Sequence, residues 1–265
     1  MSPVPQRVVA MVNNKGGVGK TTCTLNIAAG LARKNRRVLI VDIDPQANAG
    51  LVLLGTKLFE LPRSLFDVLL DPDRHVREIV VPTPIKGLDL APSQTSLANA
   101  ELNLASVRGR EGILRRSMVD SLESYHYILI DCPPSLGLLT INALLAASEV
   151  YIPVAMTYLA LEGVGQVMDA IEAVKRDLNH PRLTISGVIP TFFDGRTRLA
   201  KDILQSVRDY FGEVIFATSI HKNVKLDEAQ SHHQSIFDYA PRSAGALEYE
   251  SLVEEVIQRE SAAPR

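Results

Sequence analysis

The 265-residue chain has no tryptophan, two cysteines and almost no excess charge: 28 basic residues against 30 acidic ones leave a formal net charge of −2. With aromatics at only 5%, the core must be filled by aliphatic side chains. A near-neutral chain exerts no global pull on nucleic acid, so any such contact must come from a local patch. Cys23 and Cys132 lie far apart in apolar segments. That spacing excludes a disulfide framework and a metal-ligand cluster, and both are expected as buried thiols in a reducing compartment. No run of 18 apolar residues occurs, so no membrane-spanning helix is expected. Met1–Arg7 lacks the layout of a signal peptide. No internal repeat or low-complexity segment is present. One cytoplasmic domain over 1–265 is expected, with loose tails at 1–6 and 260–265.

What the chain does have is apolar mass, 46% of its residues, arranged as strand-length runs alternating with helical periods. Val8-Val9-Ala10-Met11-Val12 reads as a buried strand. Leu25-Asn26-Ile27-Ala28-Ala29-Gly30-Leu31-Ala32 reads as a helix with an apolar stripe. Between them stands Asn14-Lys15-Gly16-Gly17-Val18-Gly19-Lys20-Thr21-Thr22. Strand, glycine-rich loop and helix is the setting of a phosphate-binding loop. Glycines let backbone N–H groups turn inward around phosphate oxygens, where a Cβ would obstruct them. The helix N-terminus adds partial positive charge. Lys20 is placed for the β- and γ-phosphates, and Thr21 for Mg²⁺. The general pattern wants glycine at position 14, however, and Lys15 adds a lysine that cradling alone does not explain.

A second buried strand, Val38-Leu39-Ile40-Val41-Asp42, runs into Ile43-Asp44-Pro45-Gln46. Two aspartates at a strand end are costly in a core unless they face a site, and in α/β sheets sites lie beyond the carboxyl ends of strands. Asp42 and Asp44 are therefore expected beside the phosphate loop. Tyr127-Ile128-Leu129-Ile130-Asp131 is a third apolar run ending in one aspartate, followed by Cys132-Pro133-Pro134-Ser135. Behind a phosphate loop this reads as the strand whose carboxylate holds Mg²⁺. These residues alone describe a Mg²⁺-dependent nucleoside triphosphatase of the α/β class, with a mostly parallel twisted sheet and helices on both faces.

Elsewhere, short helices are expected at Asn48 to Leu54 and, capped by Ser64, at Leu65 to Leu70. Val80-Val81 and Leu88 to Pro92 read as strands, with helical pieces at about 95–106 and 109–123. A helix over Gly137 to Ala147, a strand at Glu149 to Val154, a helix carrying Val164, Met168 and Ile171, and a strand at Leu183 to Pro190 follow. A helix with Ile203, Leu204, Val207 and Phe211 on one face comes next. Val214 to Ile220 reads as a late strand, and a last helix over Ser243 to Arg259 has a polar face rich in glutamate. The basic run Arg33 to Arg37 is read as helix C-terminal cations, and His232-His233 as surface.

The loop Lys15-Gly-Gly-Val-Gly-Lys-Thr-Thr22, Asp42-x-Asp-Pro-Gln46 and Ile130-Asp-Cys-Pro-Pro-Ser135 together resemble the deviant Walker A loop ATPases of the ParA/MinD family, and most closely its ParA (Soj-like) members. The resemblance covers about residues 7–258. It implies ATP and ADP as nucleotides with Mg²⁺, bound by Lys15, Gly16, Gly17, Val18, Gly19, Lys20, Thr21 and Thr22. It implies a catalytic set of Lys15, Lys20 and Asp44: Lys15 reaches across an ATP-dependent homodimer into the partner's site, and Asp44 orients the attacking water. Thr21, Asp131 and Asp42 are placed at the metal. Thr191-x-x-Asp-x-Arg-Thr197 resembles the segment that carries a DNA-binding arginine. Arg196 inherits that role, and Arg198 joins by proximity. Ile220-His-Lys-Asn-Val-Lys-Leu-Asp-Glu-Ala229 matches a family stretch with two departures: His221 stands for proline, and Lys222 for a DNA-binding arginine, keeping charge but losing the bidentate fork. The implied partners are non-specific duplex DNA of the nucleoid and a ParB-type centromere-binding protein that stimulates hydrolysis, with chromosome or plasmid partitioning as the outcome. A ParA-like positioner of another cargo shares the same site. A MinD-like membrane regulator is disfavoured, because an acidic last helix is repelled by anionic lipid and Ser261 to Arg265 cannot form a basic amphipathic helix. A cluster-bearing reductase is disfavoured by its missing cysteines.

Overall fold

Apolar runs of strand length without a polar interruption become the interior of one sheet, buried on both faces. The computed structural model describes residues 6–118, 122–157 and 160–261. The tail positions 1–5 and 262–265, and residues 119–121 of the expected 109–123 helix, lie outside the described residues. In chain order the elements are β1 (Arg7–Met11), α1 (Lys20–Arg33), β2 (Val38–Asp42), α2 (Asn48–Leu54), α3 (Leu65–Leu70), β3 (Val81–Pro82), β4 (Leu88–Ala91), α4 (Ala100–Asn103), α5 (Ile113–Met118), β5 (Tyr127–Asp131), α6 (Leu138–Ala146), β6 (Glu149–Ala155), α7 (Ala160–Asp177), β7 (Thr184–Thr191), α8 (Arg198–Phe211), α9 (Val224–Ser231), α10 (Ile236–Tyr239) and α11 (Ala244–Gln258), with 3-10 turns between some of them.

The seven strands lie in the order β3-β4-β2-β5-β1-β6-β7. All pair in parallel except the edge strand β3. Side chains alternate across the sheet, as a two-residue period requires. Ala10, Val41, Ile130 and Val150 face one core, built with α3 to α8. Val9, Ile40, Leu129 and Tyr151 face the other, built with α1, α2 and α9 to α11. The chain leaves β1 toward β2 on one side and, after β5, crosses to β6 on the other. The crevice beside the carboxyl ends of β1, β2 and β5 is thus the switch point at which such sheets bind ligands.

The late strand expected over Val214 to Ile220 is not a strand. Its backbone pairs with β7 through an isolated bridge, Val188 with Ile215, and bonds from Phe216 N to Val188 O and Ile220 N to Pro190 O. The reason lies in α11. Glu255 accepts the backbone N–H groups of Ala217 and Thr218 at 2.8 Å each, so those donors go to a carboxylate instead of a ladder. The pieces over 95–123 are shorter than the periodicity suggests, as 3-10 turns at Thr95–Asn99 and Arg110–Gly112 break them. The chain at 260, assigned to a tail, is held: Glu260 accepts from Arg36 at 2.9 and 3.0 Å and from the Tyr127 hydroxyl at 2.6 Å.

Glutamates of the last helix are mostly spent on such pins. Glu248 holds His221, and Glu250 and Glu254 hold Lys34. The run Arg33 to Arg37 is absorbed in the same way, with Arg33 over the Phe237 ring. Cys23 and Cys132 are free and buried, and among the described residues no helix is long and apolar enough to cross a membrane.

Where β6 meets β7 the register shifts between Val150 and Tyr151, and Phe216 packs edge-on against Tyr151 beside Gly187. A Cβ at Gly187 would stand 2.4 Å from Phe216 and 2.7 Å from Tyr151. Both rings are fully buried and cannot swing aside. Gly187→Ala should therefore cost about 1–3 kcal/mol through overpacking, read as a fall in urea midpoint at unchanged m-value and a Tm lower by several degrees.

Candidate active site

The loop between β1 and α1 bends through glycines with left-handed backbone, Gly17 at φ 69° and Gly19 at φ 91°. Gly19 is also the N-cap of α1. A Cβ at either would be strained. Asn13, buried at the end of β1, fastens the start of the loop: its amide donates to Pro153 O at 2.7 Å and its oxygen accepts from Lys15 N at 3.0 Å. Lys20 is buried, and its ammonium donates to Lys15 O at 3.0 Å, folded back over the loop it serves. Burial lowers its affinity for a proton, against the opposing pull of Asp131, Cys132 and Asp44.

Asp42 and Asp131 are paired residues on the adjacent parallel strands β2 and β5, both with no solvent exposure. Asp131 accepts from Thr21 Oγ1 at 2.7 Å and from Thr24 Oγ1 at 3.1 Å. Asp42 accepts from Asp44 N and Gly50 N, each at 3.1 Å, and so anchors the segment that carries Asp44. Desolvation pushes both carboxyls toward the protonated form; repulsion from Asp131 adds to it at Asp42, and repulsion from Asp44 helps bring Asp131 to about 6 despite its two hydroxyl donors. Asp44 is nearly buried, and one of its oxygens accepts Gln46 N at 2.9 Å. The turn it begins closes through Ala47, a residue with a Cβ held at φ 53°. Such strain persists only where the surroundings impose it.

The fold thus brings Lys15, Lys20, Thr21, Asp42, Asp44 and Asp131 to one end of the sheet. Gly16, Gly17, Val18, Gly19 and Thr22 complete the loop. Arg196, Arg198 and Lys222 lie apart from it. The segments carrying them run side by side, joined by Phe193 N to Ile220 O at 3.1 Å. Arg198 is almost fully exposed, 3.8 Å from Asp202. Arg196 is not a bare cation: it forks onto Asp194 at 2.8 and 2.9 Å and holds that carboxyl below its usual range. Lys201 and Arg208 line a neighbouring cleft of about 490 Å³ with Phe193, Gln205 and His221.

Several residues at the loop went unnoticed in the sequence. Thr24 follows Thr21 by three positions and shares its helix face, a legible signal. Thr191 donates to Val18 O at 2.8 Å. Phe192, at φ 50°, sets its ring against Gly19. Gln230 donates to Thr22 Oγ1 at 2.7 Å. The last three come from segments 170 to 210 residues away, and no local pattern announces them. His233 lies at the surface, with Nδ1 2.9 Å from Leu51 O. Among the described residues no cluster of three or more metal-ligating side chains occurs.

The buried carboxylate pair fixes a pH response of the ligand-free protein. A carboxyl raised in the folded state binds its proton more tightly than in the unfolded chain, so its cost to stability is full above about pH 6 and is relieved as pH falls through that value. The Tm difference between Asp131→Asn and wild type, measured without nucleotide or Mg²⁺, should be largest in favour of the variant at pH 8 and shrink steadily toward pH 5.

Residues 6–185 match the family described as an AAA domain. The sporulation initiation inhibitor protein Soj of Bacillus subtilis is 44% identical over 250 residues, covering 94% of this chain and 98% of that protein. The chromosome partitioning protein ParA of Myxococcus xanthus is 41% identical over 255 residues, covering 96% of this chain and 89% of that one. Among solved structures, one from Mycobacterium smegmatis described as cobyrinic acid a,c-diamide synthase with bound ADP and magnesium superposes with a TM-score of 0.83 at 34% identity, over 97% of this chain and 96% of that chain. With its phosphate loop, its paired strand-end aspartates and relatives alike over nearly their whole length, the chain belongs to the AAA-domain family matched here and, within it, to the ParA/Soj-type P-loop ATPases.

Proposed function

We propose that the protein is an ATP-driven partitioning switch acting on chromosome or plasmid DNA in the cytoplasm, bound to the nucleoid in its ATP state and released by hydrolysis. The observation that carries the reading is the pair of lysines in one loop. Lys20 already donates into the loop, and cradling the phosphates does not explain a second lysine at its start. In the proposed cycle ATP joins two copies as a sandwich dimer, and Lys15 enters the partner copy's site. The dimer holds duplex DNA non-specifically, and a ParB-type protein accelerates hydrolysis. The chromosome partitioning name carried by the ParA relative supports this job.

The residues fit ATP and Mg²⁺. Two carboxylates buried side by side and pushed toward protonation are a donor set that a divalent cation satisfies. Thr21 and Asp131 would hold Mg²⁺, with Asp42 behind them. Bound there, Mg²⁺ would neutralise charge on the β- and γ-phosphates. The chain's own residues do the rest. Backbone N–H groups of Gly16 to Thr22 cradle the phosphates, and Lys20 exchanges the Lys15 carbonyl for phosphate oxygens. Asp44 keeps one oxygen on Gln46 N and directs the other at the attacking water, orienting it in line. Hydrolysis of this kind rests on positioning and charge neutralisation more than on covalent chemistry. Arg196, Arg198 and Lys222 form the DNA contact, and Arg196 must exchange Asp194 for phosphate.

Binding to non-specific duplex DNA without nucleotide, with ADP and with ATP is the test, on wild type, Lys15→Gln and Arg196→Glu. ATP alone should switch binding on in wild type, and both changes should weaken it at least tenfold. Binding that is absent in every state, with ATP hydrolysis intact, would leave an ATPase and remove the DNA assignment. ATP-dependent sedimentation with anionic vesicles would move the reading to a membrane surface. Lys20→Ala should lose nucleotide affinity by a hundredfold or more, measured with a fluorescent ATP analogue.

A further inference from the structure

We propose that Gly163 and Gln166 on α7 are positioning residues for Lys15, forming a seat that sets the direction in which this lysine leaves the loop. The inference rests on the role given to Lys15 above and adds the residues that act through it.

The start of the loop is fastened twice. Asn13 ties it to β6 through Pro153 O. Asn14, where the general phosphate-loop pattern has glycine, ties it to α7: its amide donates to the Gln166 side-chain oxygen. The other atom of that amide, Asn14 Oδ1, is buried without a hydrogen-bond partner among the described residues. Asn14 therefore spends its side chain on one bond, the bond to α7.

Gly163 lies directly under this contact and is buried. A Cβ there would stand 2.9 Å from Lys15 Cε, 3.1 Å from Lys15 Cδ and 2.9 Å from Asn14 Oδ1. The aliphatic stem of Lys15 thus occupies the space that any side chain at 163 would fill. Glycine inside a helix is less favourable than alanine, and α7 carries two, at 163 and 165. They differ in surroundings: a Cβ at Gly165 meets nothing within 4 Å. Only Gly163 lies against the loop. The atoms that a methyl group at 163 would strike are ends of flexible side chains, so the helix and loop can persist while Lys15 and Asn14 move.

A lysine has four rotatable bonds and loses much freedom when ordered. Resting its stem in a groove sets that direction before the ammonium meets its target, which is how a supporting residue contributes to rate. Catalysis that depends on this should fall when the seat is filled, while nucleotide affinity, set by Lys20 and the loop amides, should not.

The experiment compares Gly163→Ala, Gly165→Ala, Gln166→Leu, Gln166→Glu and Lys15→Ala in the full-length protein. It records steady-state ATP hydrolysis with Mg²⁺, affinity for a fluorescent ATP analogue, and Tm. Gly163→Ala and Gln166→Leu should lower kcat about tenfold with nucleotide affinity within twofold of wild type and Tm not reduced. Gln166→Glu, which keeps an acceptor for the Asn14 amide, should recover most of what Gln166→Leu loses. Gly165→Ala should hydrolyse ATP like wild type. The proposal is overturned if Gly163→Ala matches the wild-type rate while Lys15→Ala does not. It is also overturned if Gly165→Ala loses as much as Gly163→Ala, which would mean helix flexibility, or if Gly163→Ala loses affinity in step with rate, which would mean a deformed loop. A wild-type rate in Lys15→Ala would instead remove the role of Lys15 itself, and the seat with it.

Discussion

Two carboxylates lie on paired residues at the carboxyl edge of the sheet, both shut off from solvent, and much of the site answers to that placement. Asp42 and Asp131 are brought together by parallel pairing of β2 with β5, not by attraction. Charges so placed must be compensated by dipoles, protons or cations. Each available neighbour is used. Two threonine hydroxyls of α1 turn to Asp131, two backbone N–H groups of the following turn go to Asp42, and Lys20 stands close by. Two of the side chains that compensate the pair, Thr21 and Lys20, are the ones to which the proposed function gives Mg²⁺ and the phosphates. Stability without ligand is held down at the point where ligand chemistry occurs, a common trade between a strained site and its function.

The second organising feature is how far the loop's supports come from it in sequence. Helix α1 is buried along most of its length, and the C-terminal third of the chain wraps its outer side. Asn26 takes Ile236 N at 3.0 Å, the Cys23 sulfur lies 3.3 Å from the Tyr249 hydroxyl, and Gln230 reaches Thr22. A phosphate site works by presenting fixed dipoles, and these long-range contacts keep the first turns of α1 from shifting.

What could be read from the sequence follows the range of the forces involved. The phosphate loop, β1, β2 and β5 and their terminal aspartates are local: apolar runs, glycines at strained positions and charged residues at strand ends each carry their reason within a few residues. Ser64 over α3 was legible for the same reason, as a capping side chain sits next to what it caps. The segment Val214 to Ile220 has the composition of a strand, but Glu255 claims its N–H groups from 37 residues onward, and no window around 214 contains that fact. The Arg196–Asp194 fork is local as well, two residues apart, but a count of cations does not register the carboxylate beside one of them. Asn14 could be flagged only as a departure, since its partner Gln166 lies across the fold.

Arg259 and Glu260, next to the end of the described chain, lie at the amino-terminal edge of the sheet. The Arg259 guanidinium donates to the carbonyls of Ser186, Glu213, Val214 and Ile215 and lies over the Phe216 ring. Glu260 grips Arg36 and Tyr127, beside the start of β1 at Arg7. Residues 6 and 261 therefore emerge together, on the side of the molecule that faces away from the phosphate loop. A fluorophore, affinity handle or surface tether joined at either place would hold the protein by its back, leaving the nucleotide crevice and the loop with Lys15 on the opposite side. Immobilised or single-molecule formats can thus be built on this geometry without obstructing the reacting face.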